Sequence, residues 1–324
     1  MPSPRLALLL ALLVPAGVLI PRAKVAPAAD DILVSTAWLA GHLNDPDLVI
    51  LEVGPREAYD AGHIPGAQFA DLMSLSAPHK MMTREEHEHM TREQREQDTT
   101  LALELPTARQ LDSLLSGFGI SNNSRVVVYF NDEWLTPAAR VFLTLDYAGL
   151  RGRIFYLDGG TTAWKAENRP LSKDVPAPRR GSFHTAARSD VVVTASFVKD
   201  HLRDPAIRIL DARDAEFYND THDNGMKRGG HIAGAGSIPF GSLVDTLSMR
   251  FKSKAELSSM FAAQGVRPGA TIVSYCHIGQ QGSLLYFAAR YLGIDARLYD
   301  GSFQDWSRHR ELPVEGARRN PSGS

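Results

Sequence analysis

The sequence has a single cysteine, Cys276, in 324 residues. No internal disulfide can form, so stability must come from packed cores, and a small cysteine-stapled scaffold is excluded. An excess of charge of one sign is also lacking. Formal net charge is −2, and the basic pairs Arg179-Arg180 and Arg318-Arg319 are too short to form a nucleic-acid footprint. With 44% apolar and 22% charged residues the composition is globular, which removes wholesale disorder. Beyond the N-terminus no segment is apolar for the roughly 20 residues that a spanning helix needs.

The N-terminus itself carries an address. Arg5 and the terminal amine precede an apolar run, Leu6 to Leu13, that continues with small interruptions to Ile20. Ala26-Pro27-Ala28 then supplies small residues suited to cleavage. The pattern predicts a secretory signal over residues 1–29, and hence export to the periplasm or the exterior. Arg22 and Lys24 after the run keep an uncleaved anchor as the alternative. After cleavage no stable membrane insertion is expected. A lone thiol in an oxidising compartment then has two explanations, a chemical role or a small buried hydrophobe.

Self-comparison is more informative. The stretch Val34-Ser35-Thr36-Ala37-Trp38-Leu39 through His42-Leu43-Asn44-Asp45-Pro46 to Leu51-Glu52 recurs without a gap. Its copy runs from Val193-Thr194-Ala195-Ser196-Phe197-Val198 through His201-Leu202-Arg203-Asp204-Pro205 to Leu210-Asp211. Gly62-His63-Ile64-Pro65-Gly66-Ala67 is echoed by Gly230-His231-Ile232-Ala233-Gly234-Ala235, and Val126-Val127-Val128-Tyr129 by Ile272-Val273-Ser274-Tyr275. Asp158-Gly159-Gly160 with Trp164 matches Asp300-Gly301-Ser302 with Trp306. Four matches in one order imply two homologous domains. The expected division is a first domain over 31–169, a Pro- and Arg-rich linker over 170–187, a second domain over 188–315 and a tail over 316–324.

Strand-like and helical patterns alternate in both copies, which predicts an α/β fold, each domain a mainly parallel sheet with helices on both faces. In the second copy the expected strands are Ile207–Leu210, Thr271–Tyr275 and Ala296–Tyr299, and the expected helices are 255–264 and 283–292. The first copy carries a charged insertion, 77–100, with His79, His87 and His89. A solvated segment explains it better than a metal site, and no metal or cofactor is expected.

Cys276 directly follows the strand Thr271–Tyr275, and His277-Ile278-Gly279-Gln280-Gln281-Gly282 lead from it into the next helix. Ligands bind at such carboxyl ends of sheet strands. Gly279 and Gly282 allow positive φ, so the backbone can curl and aim its amides inward, and the helix N-terminus adds its own field. An anion is favoured at the loop's centre, which predicts a lowered thiol pKa and a nucleophile at neutral pH.

Tyr275-Cys276-His277-Ile278-Gly279-Gln280-Gln281-Gly282-Ser283, the paired Gly-His-Ile-x-Gly-Ala motifs and the Asp-Gly-x-x-x-x-Trp signatures resemble the tandem rhodanese family, over almost all of residues 32–313. The resemblance implies a sulfurtransferase, with thiosulfate donating its outer sulfur to Cys276, sulfite leaving, and cyanide or a thiol removing the sulfur. A protein acceptor is also compatible. It further implies that Cys276 is catalytic, that residues 277–282 bind substrate, and that Asp211 and Arg213 pair to brace the loop, with a routine surface pair as the competing explanation. The first domain lacks the nucleophile, since Phe130 falls opposite Cys276. The loop also departs from thiosulfate-using members, which carry cationic side chains where this chain has His277, Ile278 and Gln280, and Glu216-Phe217 stands where another Arg is expected. His277 and Arg290 are candidates to supply positive field, or else an ordinary loop histidine and helix-surface arginine.

Residues kept in both copies cannot explain chemistry confined to one. His63 and His231 are therefore expected to be structural, Trp164 and Trp306 to pack, and Asp158 and Asp300 to shape turns. A Cys-dependent phosphatase is disfavoured because Gly282 occupies the place of the loop arginine that clamps phosphate. A papain-like protease is disfavoured because adjacent Cys276 and His277 lack the triad's geometry. Donors such as 3-mercaptopyruvate or polysulfide, and a non-catalytic docking module, remain the alternatives.

Overall fold

The computed structural model describes residues 31–78, 89, 91, 100–131, 134–177, 180–222 and 226–316. The segment expected to be a signal and the insertion histidines His79 and His87 lie outside the described residues, and His89 is exposed.

Two five-stranded parallel sheets repeat one topology. In the first domain the strands are β1 (Leu33–Val34), β2 (Leu48–Val53), β3 (Ala67–Phe69), β4 (Arg125–Phe130) and β5 (Ile154–Leu157), in the order β1-β5-β4-β2-β3. In the second, β6 (Val192–Val193), β7 (Ile207–Asp211), β9 (Gly236–Ser237), β10 (Thr271–Tyr275) and β11 (Ala296–Tyr299) are arranged β6-β11-β10-β7-β9, with β8 (His231–Ile232) pairing antiparallel with β12 (Val314–Glu315). The central strands β4 and β10 are buried on both faces, which is why they read as continuous apolar runs and not as alternation.

Helix caps follow from the sequence. Ser35 accepts the Trp38 amide at the start of α1 (Thr36–His42). Capping boxes open α3 (Ala108–Gly117) through Thr107 and Gln110, and α8 (Lys254–Ala263) through Ser253 and Glu256. The other helices are α2 (Arg56–Ala61), α4 (Leu135–Leu145), α5 (Gly160–Ala166), α6 (Ala195–Asp200), α7 (Ala215–Tyr218), α9 (Gln280–Tyr291) and α10 (Ser302–Trp306). One expectation is corrected. The helix after Cys276 begins at Gln280, three residues before Ser283, so Gln281 and Gly282 belong to its first turn. Gly279 has the positive φ (+85°), whereas Gly282 does not. Gly282 is required for space, because a Cβ there would lie 2.9 Å from Leu298 Cδ1 and 3.1 Å from the Tyr275 carbonyl carbon.

The halves share one apolar core. α4 packs on α9, and Phe142 meets Phe287 edge to face at 4.9 Å, with Tyr156 at 4.8 Å from the same ring. Each half also extends an arm onto the other. In the first arm Leu103 adopts φ 58°, and the Leu105 amide donates to Asp300 at 3.2 Å. In the second, Met249 adopts φ 56°, and the Phe251 amide donates to Asp158 at 2.9 Å. The segment expected as a linker is laid along the first domain: Ser172 exchanges backbone hydrogen bonds with His63, Gly181 N–H reaches the Ser116 carbonyl, and Phe183 is buried.

Candidate active site

β10 pairs in register with β7, Tyr275 opposite Asp211, so Cys276 leaves the sheet beside the Asp211–Arg213 turn. Its backbone is held tightly. The Cys276 amide donates to Ser302 Oγ at 3.2 Å, and the Phe303 and Gln304 amides donate to the carbonyls of Cys276 and His277 at 2.9 Å each. Ser302 is itself in the left-handed region, φ 52°, a conformation that costs a non-glycine residue energy and that its contact with the cysteine loop holds in place. Gly160 occupies the matched position of the first domain, where a Cβ would strike the Phe130 carbonyl oxygen.

The Cys276 side chain is fully buried. Backbone N–H groups of Gly282, Ile278 and Gln281 donate to its sulfur and favour the thiolate. The expected cradle is therefore present, but its expected consequence is not. Burial is the larger effect, and with Asp211 opposing ionisation as well it holds the thiol above its ordinary pKa. The sequence gives the amides but not the depth at which the sulfur sits.

The remaining loop residues divide. Gly279, Gln281 and Gly282 shape the turn around the sulfur. Ile278 packs against the shared core, and Gln280 Nε2 donates to Thr136 Oγ1 of the first domain at 3.0 Å. His277 adds no positive field: burial, then the Arg213 charge, push its pKa down to about 4, so it is neutral at physiological pH. Its ring meets Phe217 edge-on at 4.7 Å. Arg290 is also excluded from the site, because it lies at the far end of α9 and binds Asp146 at 3.0 Å.

Asp211 and Arg213 form a wholly buried ion pair at 2.6 Å. Burial disfavours the Arg213 cation, but the Asp211 charge outweighs it and keeps the group above its usual range. Arg213 also donates to the Gly230 carbonyl at 2.8 Å and stacks over Phe303 at 4.2 Å. In the first domain Glu52 takes the place of Asp211 and Gly54 that of Arg213. Glu52 accepts from Tyr129 and, at 2.8 Å, from Asn131, the residue matched to His277. The cysteine and its arginine are thus absent from the same copy, a contrast the duplication already offered.

The paired motifs behave alike in both halves. His63 and His231 stack on Tyr59 and Tyr218 at 3.9 and 3.6 Å, and Trp164 and Trp306 donate to the Pro170 and Pro313 carbonyls at 2.8 and 3.0 Å. Asp300 does more than shape a turn, because it receives Arg140 from the first domain at 2.5 Å. Beside the loop lies a cleft of about 520 Å³ between the domains, lined by Leu72, Met73, Trp134, Pro137, Ile278 and Gln280 among others.

Residues 35–167 and 194–309 each match the Rhodanese-like domain. The chain belongs to the rhodanese family. It is 30% identical to the thiosulfate sulfurtransferase of Azotobacter vinelandii, over 88% of this chain and 97% of that one. The sulfur carrier protein TtuD of Thermus thermophilus is 29% identical, over 89% of this chain and 97% of its own. Among solved structures, SseA of Escherichia coli, described as a 3-mercaptopyruvate sulfotransferase, superposes with a TM-score of 0.69 at 26% identity, covering 84% of this chain and 98% of its own. This rhodanese is a sulfurtransferase with two tandem domains. Among its described residues no helix is long and apolar enough to cross a membrane.

Proposed function

We propose that Cys276 carries the sulfur, and that thiosulfate is the donor. The observation that carries this reading is the convergence of three backbone amides, at the N-terminus of a 12-residue helix, on the chain's lone thiol. In the resting site the buried sulfur is neutral. As it loses its proton and attacks the donor's outer sulfur, negative charge grows where the amides point. They therefore stabilise the transition state more than the ground state. The donor's S–S bond breaks, its electron pair leaves with sulfite, and Cys276 holds a terminal persulfide anion in the same cradle. Cyanide or a thiol then takes the outer sulfur and returns the thiolate. Residues 277–282 enclose the donor, with Asp211 and Arg213 bracing the loop. The interdomain cleft gives an acceptor thiol, free or on a protein, room to approach.

A second reading concerns the donor. His277 is held neutral and Phe217 packs against it, while the charge of Arg213 is matched by Asp211. Such a site suits a singly charged donor such as 3-mercaptopyruvate, or a polysulfide. Intact-mass measurement after exposure to each donor decides both points: one added sulfur, removed by cyanide and absent in Cys276→Ser, supports the mechanism. No adduct with any donor would sink it, and the donor panel ranked by kcat/KM chooses among substrates. Export rests on the composition of residues 1–29. N-terminal sequencing of the mature protein from a periplasmic or secreted fraction tests it, and an intact N-terminus in the cytoplasmic fraction counts against it.

A further inference from the structure

The cysteine-less domain sends a fully buried arginine to the back of the cysteine loop. Arg140 of α4 donates from Nη1 to Asp300 Oδ1 at 2.5 Å, and from Nη2 to the Leu103 carbonyl. The Leu105 amide holds the other Asp300 oxygen at 3.2 Å. The residues just after Asp300 are the ones that grip the loop's backbone: Ser302, Phe303 and Gln304 bond to Cys276 and His277. On the loop's other side stands Gly279, where an added Cβ would lie 3.0 Å from Arg140 Nη1 and 3.1 Å from the Asp300 carbonyl oxygen. Arg140 thus lies against both supports of the cysteine, the turn that opens α9 and the segment behind it.

The inactive half treats its matched aspartate differently. Asp158 meets Arg250 at 3.4 Å, and that arginine's side chain is 34% exposed, against 1% for Arg140. Of the two matched aspartates, the one beside the cysteine loop is the one met by a buried cation.

We propose that Arg140 is a positioning residue for sulfur transfer, locking Asp300 and the Gly279 turn so that the first domain sets the placement of Cys276 among its amides. The proposal rests on the sulfur-carrying role of Cys276 given above. Two measurements test it: steady-state kinetics with thiosulfate and cyanide, and alkylation of Cys276 by iodoacetamide, which needs no sulfur transfer. Arg140→Met is expected to lower kcat by about 10- to 100-fold with a much smaller change in KM, since small misplacements of reacting groups have effects of that size. Alkylation at neutral pH should move the opposite way and quicken, as the loosened loop uncovers the thiol. Arg140→Lys, which keeps a donor for Asp300, should recover part of kcat. Asp300→Asn should repeat the loss in milder form, and replaces Arg140→Met if that variant fails to fold. Arg151→Met cuts a different interdomain link, to Tyr286, along with its pair to Asp146 in its own domain, and should leave both measurements at wild-type values. Unchanged kcat and alkylation in Arg140→Met would overturn the proposal, as would an Arg151→Met variant with the same defects. If the wild type formed no persulfide, the role of Cys276 would fail, and alkylation alone would still decide whether Arg140 places the loop.

Discussion

The guanidinium of Arg213 closes on the carboxylate of Asp211 at 2.6 Å with neither side chain reaching solvent. Breaking such a pair from one side leaves a buried charge without a partner, which costs about 3–5 kcal/mol. Arg213→Met should therefore be strongly destabilised in urea titrations. Replacing both members, Asp211→Leu with Arg213→Met, should recover most of that loss while sulfur transfer stays low. Full recovery of turnover in the double variant would reduce the pair to a packing element.

Cys276 should behave as a reluctant thiol until a donor is bound. Burial holds its pKa above the ordinary value, so its alkylation rate should keep rising beyond the pH at which a free cysteine levels off. At pH 7 it should be alkylated more slowly than glutathione. Rapid alkylation there, with a plateau below pH 7, would mean that the amides outweigh burial.

His277 should be silent in the pH profile. Its pKa is pushed down to about 4 by burial and by Arg213, so it is already neutral across pH 5.5–8. His277→Asn should leave the shape of log kcat/KM against pH unchanged in that window. A limb near pH 6.5 that vanishes in the variant would show that the ring carries charge during turnover.

Glu104 gives stability its own pH dependence. Burial first, then Asp300, push its pKa from 4.5 to about 7, with Arg140 opposing the shift and Asp305 adding to it. Between those values the folded chain holds a proton that the unfolded chain has lost, so stability falls as pH rises from about 4.5 to about 7. Glu104→Gln removes this loss. The variant should gain about 1–3 kcal/mol over wild type at pH 8 and little at pH 4.5, allowing 1.36 kcal/mol per unit and some solvent screening. Parallel stability curves for the two proteins would refute the assignment.

Much of the architecture was legible because the chain states it twice. Matching Val126–Tyr129 to Ile272–Tyr275 located both central strands, and the topology of the two sheets repeats accordingly. Cys276 and its loop were legible from glycine placement, and Asp211 and Arg213 from their place in the motif that resembles the rhodanese family. Three kinds of information were not available to pattern. The depth of the Cys276 sulfur depends on how β10, α9 and the Asp300–Gln304 segment close around it. The start of α9 at Gln280 was obscured because Gly282 looked like loop glycine, whereas it is kept for its close contact with Leu298 and Tyr275. Arg140 has no counterpart in any loop motif, since its partner Asp300 lies 160 residues away.

The crossed arms that place Leu105 on Asp300 and Phe251 on Asp158 mean that neither half is closed without the other. Each half is roofed by a strip of its neighbour, so the domain without a cysteine covers part of the one that carries Cys276. A chain cut back to the second half would leave Asp300 without both Leu105 and Arg140, and the segment behind the cysteine without its cover.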